Sequence, residues 1–281
     1  MAGEAEQQLR AYVEYFRDLG VHDFYRQGEP VFAAEAVVAA VASPEVAAAS
    51  EPVVEPPVVS SKPAFLEPPI AKLVSFDDLA PLPQSRVAAA EKAEALAAIQ
   101  EEIGDCTRCP LAYAGRRKIV FGDGDANARL MFVGEGPGAD EEATGVPFVG
   151  KAGQLLNNMI AAMGLKREEV YIANIVKCRP PANRVPEPAE ADVCTQFLVR
   201  QMDVVQPEVV VALGATAAMY LLGVKQSLSS LRGRWHSCRG AKLVVTYHPA
   251  FLLRDPRQKG EAWKDLQMVM AEMGLKSPVK G

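Results

Sequence analysis

The chain has 281 residues, 49% of them hydrophobic and 23% charged, with a formal net charge of −5. That apolar share is ample for a core, yet no apolar run reaches the roughly 18 residues that suggest a membrane-spanning helix. The acidic start Met1-Ala2-Gly3-Glu4-Ala5-Glu6 lacks the basic and apolar regions of a secretory signal. A cytoplasmic protein with no membrane contact is therefore expected.

Charge is unevenly spread. Residues 1–86 hold 13 acidic and 6 basic side chains, whereas residues 87–281 hold 22 acidic and 24 basic ones. The C-terminal two thirds is thus mildly basic, which permits phosphate contacts without requiring them.

Gln7 to Gly20 reads as a short amphipathic helix, with Leu9, Val13, Phe16 and Leu19 on one side. Ala, Val and Glu dominate from Ala33 to Ala49, and nine prolines fall between Pro44 and Pro83. Such density opposes regular structure and favours an extended spacer. Residues 1–85 are therefore expected to be a largely disordered Pro/Ala-rich extension that could dock a protein partner, and residues 86–281 the folded domain. Val87 to Ile103 reads as a helix delivering the chain to Cys106-Thr107-Arg108-Cys109, with a turn at Gly122-Asp123-Gly124-Asp125 beyond.

Four apolar runs then read as strands: Leu130–Val133, Val170–Val176, Val209–Leu213 and Leu243–Thr246. Helical patterns near 152–163, 188–204, 215–222 and 258–273 alternate with them. Alternation of this kind predicts a three-layer α/β/α sandwich around a four-stranded parallel sheet. Open sheets of this class place ligands beyond the carboxyl ends of their strands. The glycine-rich segment Gly134-Glu135-Gly136-Pro137-Gly138 and Gly145-Val146-Pro147-Phe148-Val149-Gly150 follow the first strand. Asn174, Gly214 and His248 lie close to the ends of the other three.

A strand-end carboxylate such as Glu135 is a weak signal, because it can simply cap the next helix. Asn174 within an apolar strand is a stronger one, since a buried amide needs partners. Phe251-Leu252-Leu253-Arg254 reads either as packing under the last helix or as an apolar wedge beside an arginine that meets a phosphate. Arg179, Asn183 and Arg184 could add backbone contacts. His22 and His236 read as surface residues.

An odd count of five cysteines speaks against a disulfide framework. Cys106, Cys109, Cys178 and Cys194 could together supply four thiolates; tetrahedral zinc and an iron–sulfur cluster both remain open on spacing. In either case the site is expected to tie the N-terminal helix and the 179–193 loop to the sheet. Cys238 reads as an incidental thiol.

In this order, Gly134–Gly138, Gly145–Gly150, Asn174-Ile175-Val176-Lys177-Cys178-Arg179-Pro180-Pro181 and His248-Pro249-Ala250 resemble the family 4 (iron–sulfur, thermostable-type) uracil-DNA glycosylases, over roughly Ile103 to Met273. The resemblance implies a [4Fe–4S] cluster on Cys106, Cys109, Cys178 and Cys194, and a uracil flipped out of single- or double-stranded DNA. It implies stacking on Phe148, readout of the Watson–Crick edge by Asn174, backbone contacts near Gly136 and crowding of the C5 side by Glu141. Glu135 and His248 would be catalytic. Arg179, Arg184, Leu252, Leu253 and Arg254 would meet DNA, and a monomer is expected.

The run from Lys177 to Cys194 contains no histidine, which separates this chain from the uracil-crosslinking branch. Glu135 separates it from family 5, which carries an apolar residue there. A non-catalytic, polymerase-associated DNA-binding module is the alternative; keeping Glu135, Phe148, Asn174 and His248 together disfavours it. A phosphate-binding nucleotide protein would need the GK[ST] or GxGxxG that is missing here.

Overall fold

A computed structural model describes residues 73–276. The helix expected over Gln7–Gly20 and most of the Pro/Ala-rich stretch lie outside the described residues. Six strands form one sheet: β1 (Asp123–Gly124), β2 (Leu130–Gly134), β3 (Tyr171–Asn174), β4 (Val209–Leu213), β5 (His236–Cys238) and β6 (Ala241–Thr246). The order across the sheet is β1-β3-β2-β4-β6-β5.

The inner four are parallel, as the four apolar runs predict. Two short antiparallel strands border them, β1 on β3 and β5 on β6. The first replaces the turn expected at Gly122–Asp125.

Nine helices are described: α1 (Phe76–Leu79), α2 (Lys92–Ile103), α3 (Ala139–Thr144), α4 (Lys151–Ala162), α5 (Pro188–Val205), α6 (Ala215–Leu222), α7 (Leu228–Leu231), α8 (Pro249–Arg254) and α9 (Lys259–Met273). Among the described residues no helix is long and apolar enough to cross a membrane.

Successive side chains of a strand point to opposite faces, and the inner strands fill two separate cores this way. Met131, Val133, Val210 and Val245 face α2, α5 and α6, whereas Leu130, Phe132, Val211 and Val244 face α4 and α9. Both faces of the sheet are therefore covered, which explains why these strands read as unbroken apolar runs rather than alternating ones.

The domain also takes in residues ahead of Ser85. Phe76 is fully buried in the α2–α5–α6 core. Arg239 donates to the carbonyls of Phe76, Ala80 and Pro81 and pairs with Asp203. Segment 73–84, counted above with the extension, thus packs on the domain.

A buried ion pair fixes the corner between β6 and α8. Arg232 Nε donates to Asp265 Oδ2 at 2.8 Å, and its guanidinium lies 4.1 Å from the centre of the Tyr247 ring. Tyr247 in turn stacks on Phe251 at 5.2 Å. Asp265 is 2% exposed, so removing its partner strands a charge in the core. Arg232→Met is expected to destabilise the domain by about 3 kcal/mol, read as a lower urea midpoint. Adding Asp265→Asn should recover much of the loss, and an unchanged midpoint in the single variant would contradict the assignment.

Candidate active site

The carboxyl ends of the four inner strands open onto a cavity of about 510 Å³, lined by Glu135, Phe148, Asn174, Gly214 and His248 among others. Strand-end side chains meet here because the register pairs Gly134 with Asn174 and leads β4 and β6 to the same edge.

The glycines of the first loop are needed for space. None of Gly134, Gly136 and Gly138 has a positive φ. A Cβ on Gly134 would lie 2.5 Å from Asn174 Oδ1 and 2.6 Å from Phe148 Cζ, and one on Gly136 would lie 2.8 Å from Val176 Cγ2. Gly214 is different: its φ is +93, and a Cβ there would crowd His248 Cβ at 3.1 Å. The room it leaves is filled by the histidine.

Asn174 is 1% exposed, and its Oδ1 has no hydrogen-bond partner among the described residues. A buried acceptor without a partner costs about 1–3 kcal/mol.

Phe148 is 5% exposed and stands at φ +53, a left-handed conformation rare for a bulky residue and costing about 1–3 kcal/mol. Its ring centre lies 5.6 Å from that of His248, inclined by 33°.

His248 caps α8. Its Nδ1 accepts from the Ala250 N–H at 3.1 Å. Nδ1 is therefore unprotonated, and the hydrogen of the neutral ring sits on Nε2 as a donor. Burial, and secondarily the nearby Arg254, push the imidazole down to about 4, against a smaller opposing pull from Glu141. At neutral pH the site presents an uncharged donor.

Glu135 lies at the cavity wall, half-buried. Glu141 also lines it, but both of its oxygens are taken by main chain. One accepts from Gly138 N at 3.0 Å, the other from Val149 N at 2.9 Å and Gly150 N at 3.0 Å. Its carboxylate ties the two loops around the cavity together.

The expected DNA contacts separate into two groups. Arg184 donates to both oxygens of the buried Glu190, at 2.8 and 2.6 Å, and holds that carboxyl below its usual range. Arg179 pairs with the buried Glu142 at 3.3 Å. Both cations thus neutralise buried acids. Arg254 lines the cavity with no ion pair among the described residues. Leu252 is 1% exposed and packs inside, so it cannot serve as the wedge expected of it; Leu253, at 43%, stands out. Val185, also exposed, lines the cavity mouth from the opposite loop. A single valine in a proline-rich run gave no signal of that position.

On the other side of β3, all four predicted cysteines line one small cavity with Ile103, Ile119 and Phe197. None forms a disulfide. N–H groups point at three of the sulfurs: Lys177 N to Cys194 Sγ at 3.3 Å, Arg108 Nη1 to Cys106 Sγ at 3.5 Å, and Arg116 Nη1 to Cys178 Sγ at 3.6 Å. Burial pushes the Cys194 thiol up to about 12 and raises Cys178 as well. Among the described residues no group of three or more His, Cys, Asp or Glu stands as a metal site. The thiols share a cavity without closing on a common point. Cys238 is buried elsewhere, against Leu221 O.

A family model for the uracil-DNA glycosylase superfamily matches residues 121–267, the span that carries every element of this cavity. The chain belongs to that superfamily. Three relatives place it in the type-4 group. The type-4 uracil-DNA glycosylase of Thermotoga maritima is 46% identical, covering 58% of this chain and 85% of its own. That of Archaeoglobus fulgidus is 39% identical over 66% and 96%, and that of Pyrobaculum aerophilum 42% over 60% and 90%. In this glycosylase, Gly134 is the residue whose replacement reads the site most directly. Gly134→Ala is expected to fold yet push the Phe148 ring away from His248, as seen in a crystal structure. A ring left at its 5.6 Å separation would contradict the space argument.

Proposed function

We propose that this protein excises uracil from DNA as a monofunctional glycosylase, releasing the free base and leaving an abasic site. The observation that carries this is the orphaned Oδ1 of Asn174 in the same cavity as His248, whose neutral ring carries its hydrogen on Nε2. Uracil, unlike cytosine, bears a hydrogen on N3, which the orphaned oxygen would accept. The amide N–H₂ would donate to O4, and Phe148 would stack on the ring.

Cleavage breaks N1–C1′ with the electron pair leaving on uracil, while the sugar becomes oxocarbenium-like. Charge gathers on uracil O2, where a hydrogen bond from Nε2 strengthens as the bond breaks. A neutral imidazole suits this role, because it stabilises the anion without having to give up its proton. Glu135 would offset the sugar's positive charge and orient the water that attacks C1′; the water's proton finally rests on the released base. Flipping costs a few kcal/mol, least for a mismatched or single-stranded base. Leu253 would fill the space left behind, and Arg254 would meet a phosphate.

The assay is uracil release from oligonucleotides carrying U:G, U:A or unpaired uracil. His248→Ala and Glu135→Ala should each slow it by roughly 10²–10³-fold. A folded protein giving no abasic product would support the binding-module alternative. The pH profile tests His248 separately. With its ring held down to about 4, kcat should show no inflection near 6.5, the ordinary histidine value. Activity falling away below about pH 6.5 would show a charged, normally titrating ring instead.

The donor chemistry of the four cysteines suits a [4Fe–4S] cluster, on which the thiols that share this cavity would converge. They form an all-thiol set in an apolar cavity, with N–H groups directed at three of the sulfurs, the kind of hydrogen bond that tunes a thiolate-bound cluster. Cys106, Cys109, Cys178 and Cys194 would hold it. Bound there, it would supply a cross-link between the segment after α2, the loop after β3, and α5. Purified protein should be brown and lose its colour in Cys178→Ala; a colourless, zinc-loaded protein would refute the cluster.

A further inference from the structure

Phe148 keeps its left-handed conformation although nothing in its own side chain favours it. The support comes from outside the cavity. Arg167, in the turn before β3, sends Nη2 to Pro147 O at 2.6 Å and Nη1 to Phe148 O at 3.1 Å. The same guanidinium is fixed from behind. Nη1 also donates to Asn157 Oδ1 on α4 at 3.0 Å, while Nε and Nη2 reach Asp123 Oδ2 on β1 at 3.3 and 3.2 Å. A planar fork of five N–H donors can hold two successive carbonyls, an amide oxygen and a carboxylate at once; an ammonium has only three donors.

Two further features close the loop around the same residue. A Cβ on Gly153 would lie 1.9 Å from Phe148 O, so α4 admits that carbonyl only because position 153 has no side chain. From the cavity side, Glu141 takes the N–H groups of Val149 and Gly150. The peptide groups on both sides of Phe148 are thereby held, by Arg167 through their carbonyls and by Glu141 through the amides that follow.

We propose that Arg167 is a positioning residue for the stacking ring: its guanidinium holds the Pro147 and Phe148 carbonyls so that the ring faces His248 across the cavity. Arg167 does not line the cavity and acts only through Phe148. The kinetic part of this inference rests on the reading that uracil stacks on that ring; the structural part does not.

The test is a double-mutant cycle on a uracil-containing oligonucleotide, joined to a crystal structure of Arg167→Ala. A misplacement of this kind should lower kcat by on the order of 10- to 100-fold, with KM much less affected. Arg167→Lys, which can reach one carbonyl, should recover part of the loss, and it carries the test should the alanine variant fail to fold. In a Phe148→Ala background, Arg167→Ala should cost less than about twofold, because the ring through which it acts is already gone. An equal loss in both backgrounds would make Arg167 a general stability element and overturn the proposal. The crystal structure reads the claim without turnover. Phe148 should leave the left-handed region and its ring should move beyond 5.6 Å from His248. A ring in its original place overturns the proposal even if the substrate proves to be another base.

Discussion

At the carboxyl end of β2 the fold must let an amide and an aromatic ring share a space that one methyl group would fill. Gly134 sits level with Asn174 across the β2–β3 pair, and the Phe148 ring comes down on the same point. The rest of the cavity is arranged around that contact. Gly136 lets the loop lie against Val176, Gly214 lets β4 make room for His248, and Glu141 binds the loop after β2 to the loop that carries the ring. A strand ending in any larger residue would push the Phe148 ring and the Asn174 amide apart.

The electrostatics of the site complement that shape. Near the cavity the cations Arg179 and Arg184 are spent on the buried carboxylates of Glu142 and Glu190. The imidazole is kept uncharged by burial and by Arg254. The donor at the cavity wall is therefore neutral, with its tautomer set by a main-chain N–H. A fixed neutral donor gains most when charge arrives, and it needs no reorganisation at that moment. Holding Phe148 in a strained conformation and leaving Asn174 Oδ1 without a partner cost stability to the free protein. Both costs fall where a ligand would benefit, as functional sites commonly show.

The inner strands and the longer helices were legible because each is long enough to show a period or an unbroken apolar run. α4, α5, α6 and α9 fall within a residue or so of the expected spans. β1 and β5 were not, since strands of two and three residues show no period and are made only by their neighbours. Within the site, Glu135, Phe148, Asn174 and His248 were named from strand ends and a glycine-rich loop, and the structure brings all four to one cavity. Leu252 was misjudged because sequence alone does not say which of two adjacent leucines faces inward. Arg167 was invisible for another reason: in Lys166-Arg167-Glu168-Glu169 it looks like any solvated charged turn. Only the fold carries it to the back of the Phe148 loop. The loop glycines stand out in the sequence, but the close approach that Gly134 and Gly136 permit depends on Asn174, Phe148 and Val176, which only the fold brings there.

The most direct measurement is a crystal structure of the protein with free uracil. The account requires the base to lie against Phe148, its N3 toward Asn174 Oδ1 and its O2 toward His248 Nε2. Uracil bound elsewhere, or in this cavity with its Watson–Crick edge turned away from Asn174, would contradict it.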